Sequence, residues 1–373
     1  MHVVIATDSF GDTLTATEAA EAIAVGWRDV SADDELVLRP LSDGGPGFIA
    51  TLASAMEGRL LDVSVSDPLG RPVRAKLLLA GTTTYVESAQ ACGLHLLTEE
   101  ERDPLTTTSY GVGQQLLAAV EAGARRVVVG LGGSATNDAG AGMLTAVGLR
   151  LLDGQGSALP YGGGPLIALE RIAGWPALRG VELVAAGDVD NPLVGPHGAS
   201  MVFGPQKGAD SDAVHRLDAA LGHWARIVER DVPGAPSGLA QLPGGGAAGG
   251  LGAALLALGA SRQPGLQTVM RLVGLAAVLD RADLVLTGEG SFDWQSLRGK
   301  VPGGVAAAAA ERAVPCLVLA GQVAVGRREQ AAAGVDAAYS MVEDAGSLAA
   351  AIREPAPTLS SLARRVAREW SRR

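Results

Sequence analysis

Short runs of Val, Ile and Leu recur along this chain at intervals that leave room for a helix between them, and no other feature constrains the fold as much. The runs are Val3 to Ala6, Arg126 to Val129, Glu182 to Ala186, Asp283 to Leu286 and Cys316 to Ala320. Strands covered on both faces read as continuous apolar runs, and intervening helices permit parallel pairing, so the alternation predicts parallel α/β units. Thr15-Ala-Thr-Glu18 is a capping-box pattern ahead of Ala19, Ala22, Ile23 and Trp27, which places a helix directly after the first strand. Between about residues 60 and 90 the pattern changes to Leu61 to Val65, Val73 to Leu79 and Thr84 to Glu87, split by Asp67-Pro-Leu-Gly70 and Gly81-Thr82. This predicts a meander and a boundary. The βα alternation resumes after Leu286 and ends in a helix from Thr358 to Trp370, with Arg364, Arg365 and Arg368 where the dipole favours cations.

A length of 373 residues is too great for one compact core, and 47% hydrophobic residues supply ample material for two. The net charge of −10 and the absence of a basic run exclude nucleic acid and an anionic membrane surface as partners, leaving small molecules, with a homo-oligomer left open. Gln241 to Ser261 is uncharged but mostly Gly and Ala, so it reads as a glycine-rich loop entering a buried helix and not as a membrane span. Cys92 and Cys316 have no metal-type spacing and read as buried thiols of a reducing, cytoplasmic protein. The first residues run straight into a strand, with no targeting segment visible.

Five loops carry the chemistry-capable residues: Thr7 to Thr13, Leu41 to Gly47, Gly130 to Gly142, Gly187 to Ala209 and Thr287 to Gly304. Each follows an expected strand, and open α/β sheets bind ligands beyond the carboxyl ends of their strands. In Gly130-Leu-Gly132-Gly133-Ser134-Ala135-Thr136-Asn137-Asp138 the glycines suit close approach to a phosphate, although a structural turn fits equally well. The same residues match G-x-G-x-x-A, and Asp153 stands near the place of a ribose-binding acid, so an NAD-dependent dehydrogenase competes. Asp188 and Asp190 share a face if the backbone stays extended, which suits a metal or a base; an Asx turn before Pro192 is the plainer reading. Of 30 Lys and Arg residues only Lys76, Lys207 and Lys300 are lysine, and the last two sit in glycine-bearing loops where a compact ammonium suits a phosphate. No P-loop, G-x-S-x-G or H-E-x-x-H pattern is present, and the five histidines show no ligand spacing; His215 and His223 fall on an amphipathic helix.

Taken together, several long motifs resemble the glycerate kinase type 1 family. They are Asp8-Ser9-Phe10, Asp43-Gly44-Gly45, Asp103-Pro-Leu105 with Thr107-Thr-Ser-Tyr-Gly111, Gly132 to Asp138, Asp188 to Leu193, Val202 to Gly208, Gly246 to Gly252, and Thr287 to Gly290 with Asp293, Gln295, Ser296, Gly299 and Lys300. The resemblance implies two α/β domains: a flavodoxin- or Rossmann-like parallel-sheet domain, residues 1–66 plus 287–373, interrupted by a larger inserted α/β domain, residues 67–286, with the active site in the cleft between them. It also implies ATP-dependent phosphorylation of D-glycerate, more often at the 2-hydroxyl than the 3-hydroxyl. In-line transfer of this kind needs Mg²⁺, cations and a base. Lys300 and Lys207 are expected to neutralise phosphate, and Asp188 or Asp293 to accept the hydroxyl proton. Asp190 or Glu289 would hold Mg²⁺, and Gly132, Gly133, Ser134 and Asn137 would bind ATP phosphate. Asp8, Ser9, Asp43, Gln295 and Ser296 would receive the acceptor. Two departures stand out: Gly11 replaces the family's lysine and Pro46 its glutamate, with Lys207 or Arg298 the cations that would compensate. The departures support a second reading, a non-catalytic relative that binds a nucleotide or metabolite as a sensor or scaffold.

Overall fold

The apolar runs form strands within about a residue of the expected limits: His2–Ile5, Arg126–Gly130, Glu182–Ala186, Leu284–Thr287 and Cys316–Ala320. The computed structural model describes residues 1–178, 180–297 and 299–371, so Arg298 lies outside the described residues. The chain divides into two compact units, one of Met1–Asp43, Ala50–Met56 and Leu266–Arg373, the other of Gly44–Ile49 and Glu57–Gly265. The expected divisions at 66/67 and 286/287 are thus displaced. Arg59–Ser66 pairs antiparallel with Pro72–Ala80 and so lies in the second unit's sheet, while residues 266–286 lead into the strand Leu284–Thr287 of the first.

In the first unit five parallel strands lie in the order Ala337–Ser340, Cys316–Ala320, Leu284–Thr287, His2–Ile5 and Glu35–Leu38. Numbered along the chain this is the flavodoxin-like order 2-1-3-4-5, whose switch point falls between His2–Ile5 and Leu284–Thr287. Val3, Ile5, Leu286, Leu317 and Leu319 are fully buried, as strands with helices on both faces require. The helix Ala16–Arg28 starts at the expected capping box, with the Thr15 amide donating to Glu18 Oε2 at 2.8 Å and the Glu18 amide to Thr15 Oγ1 at 3.2 Å. It packs on the terminal helix Pro355–Trp370 so closely that a Cβ on Gly26 would lie 2.0 Å from the Ser360 carbonyl oxygen.

The second unit's six-stranded sheet is mixed. Ser261–Gln263, Glu182–Ala186, Arg126–Gly130 and Thr83–Glu87 are parallel; Pro72–Ala80 and Arg59–Ser66 extend it antiparallel as the expected meander. Asp67 shapes the hairpin turn, its Oδ1 accepting from the Leu69 and Arg71 amides at 2.8 Å each. The glycine-rich stretch forms a turn, Ala247–Gly250, and a buried helix, Leu251–Ala257, and among the described residues no helix is long and apolar enough to cross a membrane.

Candidate active site

In the first unit the polar residues gather past the carboxyl ends of the strands. Asp8 and Ser9 follow His2–Ile5, Asp43 follows Glu35–Leu38, and Glu289, Asp293 and Lys300 follow Leu284–Thr287. Burial raises the Asp8 carboxyl well above the usual carboxylate range; Asp43 and Glu289 push it further, and the Ser9 amide (2.7 Å to Oδ1) and Lys300 pull the other way. Glu289 is pushed up to about 7, chiefly by burial, against the pull of Ser296 and Lys300. Its Oε1 is buried with no hydrogen-bond partner. A buried carboxylate oxygen without a donor, among like charges, is suited to a cation. Among the described residues no three His, Cys, Asp or Glu side chains converge as a metal cage. Mg²⁺ takes one or two carboxylates and completes its shell with water and phosphate oxygens. Glu289 fits that role.

Asp293 is committed locally. Its Oδ1 accepts from the amides of Gln295 at 2.7 Å and Ser296 at 3.3 Å, while its own amide donates to Ser296 Oγ at 2.9 Å. Ser296 is buried and Gln295 exposed. Lys300 is the N-cap of the helix Val301–Ala310.

In the second unit the site is built around glycine. Gly132, Gly133 and Ser134 line a cavity of about 110 Å³ with Leu131, Val189, Phe203, Gln206 and Lys207. Gly133 is left-handed (φ +64°), and a Cβ there would lie 2.7 Å from Pro46 Cγ. Pro46 therefore packs directly on this loop. The Gly44–Ile49 segment is held by Glu87 at the end of its strand, whose carboxylate accepts from the Gly47 and Ile49 amides at 3.1 Å each. Opposite, Ala248, Gly249 and Gly250 are consecutively left-handed, with Gly249 so close that a Cβ would lie 1.8 Å from the Thr136 carbonyl oxygen. Ala139 is also left-handed, and such non-glycine conformations concentrate where neighbouring structure enforces them.

Lys207 is buried, 2% exposed, and its Nζ donates to Ser134 Oγ at 2.9 Å and to the Thr136 carbonyl at 2.6 Å. Both partners are neutral. Burial lowers its pKa to about 8, with Cys92 and Asp138 opposing the shift. Asp138 is fully buried, and its carboxylate is taken up by Ser109 (amide 2.9 Å, hydroxyl 2.8 Å) and by the Gly140 and Gly142 amides at 3.1 Å each. A buried ammonium whose hydrogen bonds go only to neutral groups, at the wall of a cavity and with the nearby Asp138 carboxylate taken up by other donors, is suited to an anionic ligand. Asn137 donates through Nδ2 to Ser200 Oγ at 2.8 Å and leaves its Oδ1 unpartnered. Asp188 is half-buried, whereas Asp190 is exposed and ion-paired with Arg262.

Asp153 serves as a turn residue, its Oδ1 accepting from Gln155 and Ser157 amides at 2.9 Å each, and not as a ribose ligand. The glycine loop leads into a helix of only one and a half turns, Ala141–Ala146, which removes the dinucleotide reading. Glu87 and Asp138 were not singled out from sequence as site-forming residues. Both end or follow a parallel strand, the signal that could have found them, but an acid serving backbone amides has no pattern of its own.

One parallel and one mixed sheet that end in polar loops, the mixed one around a buried cation and glycine-rich backbone, define an α/β protein with a site suited to an anionic ligand. Comparison with known proteins makes the class specific. The family model described as Glycerate kinase family matches residues 3–371. A glycerate kinase of Halalkalibacterium halodurans is 43% identical over 371 residues, covering 98% of this chain and 97% of its own. A glycerate 2-kinase of Escherichia coli K12 is 40% identical over 375 residues, with 98% and 97% coverage. A crystal structure from Salmonella typhimurium LT2, provisionally named glycerate kinase 2, superposes with a TM-score of 0.81 at 40% identity, covering 100% of this chain and 98% of that one. The chain belongs to the glycerate kinase family.

Proposed function

We propose that the protein transfers the γ-phosphoryl group of ATP to D-glycerate, with 2-phosphoglycerate as product. The observation that carries this reading is Lys207, a buried ammonium with only neutral hydrogen-bond partners beside the Gly132-Gly133-Ser134 loop. Relatives named glycerate kinase and glycerate 2-kinase support the acceptor and the position of transfer. The acceptor hydroxyl attacks the γ-phosphorus as the bond to the bridging oxygen of ADP breaks, and the hydroxyl proton passes to a carboxylate. Asp293 spends Oδ1 on its own turn, so Asp188 is the proton acceptor proposed. Lys207, Ser134 and Asn137, with the backbone of Gly132 and Gly133, bind phosphoryl oxygens, as does Lys300. Asp8, Ser9, Asp43, Gln295 and Ser296 receive the acceptor. Glu289 holds Mg²⁺, with Asp190 engaged instead by Arg262. A bound Mg²⁺ supplies charge neutralisation to the transferring group. The buried free thiols of Cys92 and Cys316 suit the reducing cytoplasm.

The test is D-glycerate-dependent ADP formation with Mg²⁺-ATP, product position read by ³¹P NMR. Lys207→Met and Lys300→Ala each lose about a hundredfold or more in kcat/KM, as removal of one charge-stabilising group does. Asp188→Asn loses more than about tenfold; an unaffected rate would take the base role from Asp188. ATP binding with no turnover on D-glycerate would favour the non-catalytic binder that Gly11 and Pro46 suggest.

A further inference from the structure

The first unit holds a cavity of about 140 Å³ that none of the roles above uses. Its walls come from segments that follow four neighbouring parallel strands: Phe10 after His2–Ile5, Gly290 after Leu284–Thr287, Gly321 and Gln322 after Cys316–Ala320, and Met341 after Ala337–Ser340. The first two of these strands flank the switch point, where doubly wound sheets bind their ligands. The far wall is helix Leu348–Arg353, which presents Leu348, Ala351 and Ile352. Leu348 and Ile352 are 48% and 50% exposed, large apolar side chains left uncovered at the mouth.

Three glycines keep the near wall flat. A Cβ on Gly321 would lie 2.4 Å from the Gly290 carbonyl oxygen, and one on Gly290 3.2 Å from the Gly11 amide nitrogen. Gly11 itself is left-handed (φ +57°), and a Cβ there would meet nothing within 4 Å, so the absence of a side chain at this position leaves the rim open. Apolar cavities of about 150 Å³ take up a benzene-sized ring, and the open mouth gives room for a second fused ring. Gln322, exposed at the rim, adds a carboxamide able both to donate and to accept. A flat apolar slot with one bifunctional polar group is the chemistry that recognises a purine base.

We propose that this cavity receives the purine ring of the nucleotide donor. The proposal rests on the reading of ATP as phosphoryl donor. It concerns the base alone, and adenosine, which carries no phosphate, is therefore the probe: its binding is independent of Lys207 and Lys300. Two variants are compared with the wild type, Ala351→Trp, which fills the slot, and Ile352→Glu, which places a carboxylate at its exposed mouth without touching the core. Wild-type protein binds adenosine by calorimetry, and each variant loses at least tenfold in that affinity; KM for ATP rises at least tenfold while KM for D-glycerate stays within twofold. Melting curves identify a variant that has failed to fold, and Ile352→Glu keeps the test standing if Ala351→Trp does. The proposal is overturned if the wild type does not bind adenosine, or if a folded variant binds adenosine and ATP as the wild type does. Adenosine binding that the variants lose, in a protein with no D-glycerate turnover, upholds the base site and sinks the glycerate kinase reading; turnover with a variant-insensitive KM for ATP does the reverse.

Discussion

Lys207 and Glu289 are groups of opposite charge that burial shifts in opposite directions, each toward its neutral form. Lys207 titrates at about 8 in the folded protein against an ordinary value of 10.5. Its ammonium, and with it the attraction for an anionic group, is therefore present below pH 8 and lost above. KM for ATP is expected to rise as pH increases from 8 to 9.5, and Lys207→Met is expected to abolish that rise while raising KM throughout; an equal pH dependence in the variant would place the titrating group elsewhere. Glu289 has its folded pKa raised to about 7 from 4.5. Between those values the folded state keeps a proton that the unfolded state has released, so this group's contribution to stability falls as pH climbs from about 4.5 to 7 and levels off beyond. Without ligands the midpoint in urea should decline across this window, and Glu289→Gln should make the decline shallower, the remainder coming from Asp8. Mg²⁺ favours the ionised carboxylate, so its stabilising effect should grow with pH over the same range.

At the scale of elements, the glycine loop and the left-handed turn at Ala248 to Gly250 hold each other in place. Gly249 needs both a positive φ of 67° and the absence of a Cβ that would lie 1.8 Å from the Thr136 carbonyl oxygen. Gly249→Ala should destabilise by at least about 2 kcal/mol in urea unfolding, whereas Ala248→Gly, which relieves a left-handed alanine, should be neutral or stabilising by up to about 1 kcal/mol. Equal effects would mean that the turn is not held against Thr136. The same pair shows what the sequence reveals. Periodicity and the Thr15/Glu18 box located the strands and the helix Ala16–Arg28 because those signals are local. The Gly130 to Asp138 loop was visible as a site, but pattern alone left phosphate, turn and dinucleotide open, since its meaning depends on what packs against it. Pro46 on Gly133, Glu87 on Gly47 and Ile49, and Lys207 on Ser134 are contacts across 38 to 87 residues of chain. No local pattern encodes them. The domain limits were missed for a related reason: the hairpin of Arg59–Ser66 with Pro72–Ala80 looks like a boundary in sequence, yet backbone pairing ties both strands to one sheet.

For the whole molecule, two compact units with separate hydrophobic cores make thermal unfolding a question of how many transitions occur. A net charge of −10 repels anions in general, so stabilisation by a small anion must come from a site that concentrates positive charge locally. In the function proposed above the second unit supplies such a site in Lys207 with Ser134, and a ligand at 100 times its Kd stabilises the state that binds it by about 2.7 kcal/mol. Inorganic phosphate near pH 7 is therefore expected to raise the midpoint of one calorimetric transition, or of the single transition if the units melt together. Lys207→Met should remove the shift, while Lys76→Met, which changes net charge equally on a strand of the meander, should keep it. Equal shifts in both variants would mean that phosphate acts through bulk ionic effects, and the buried ammonium would then be a structural lysine whose neutral partners suffice.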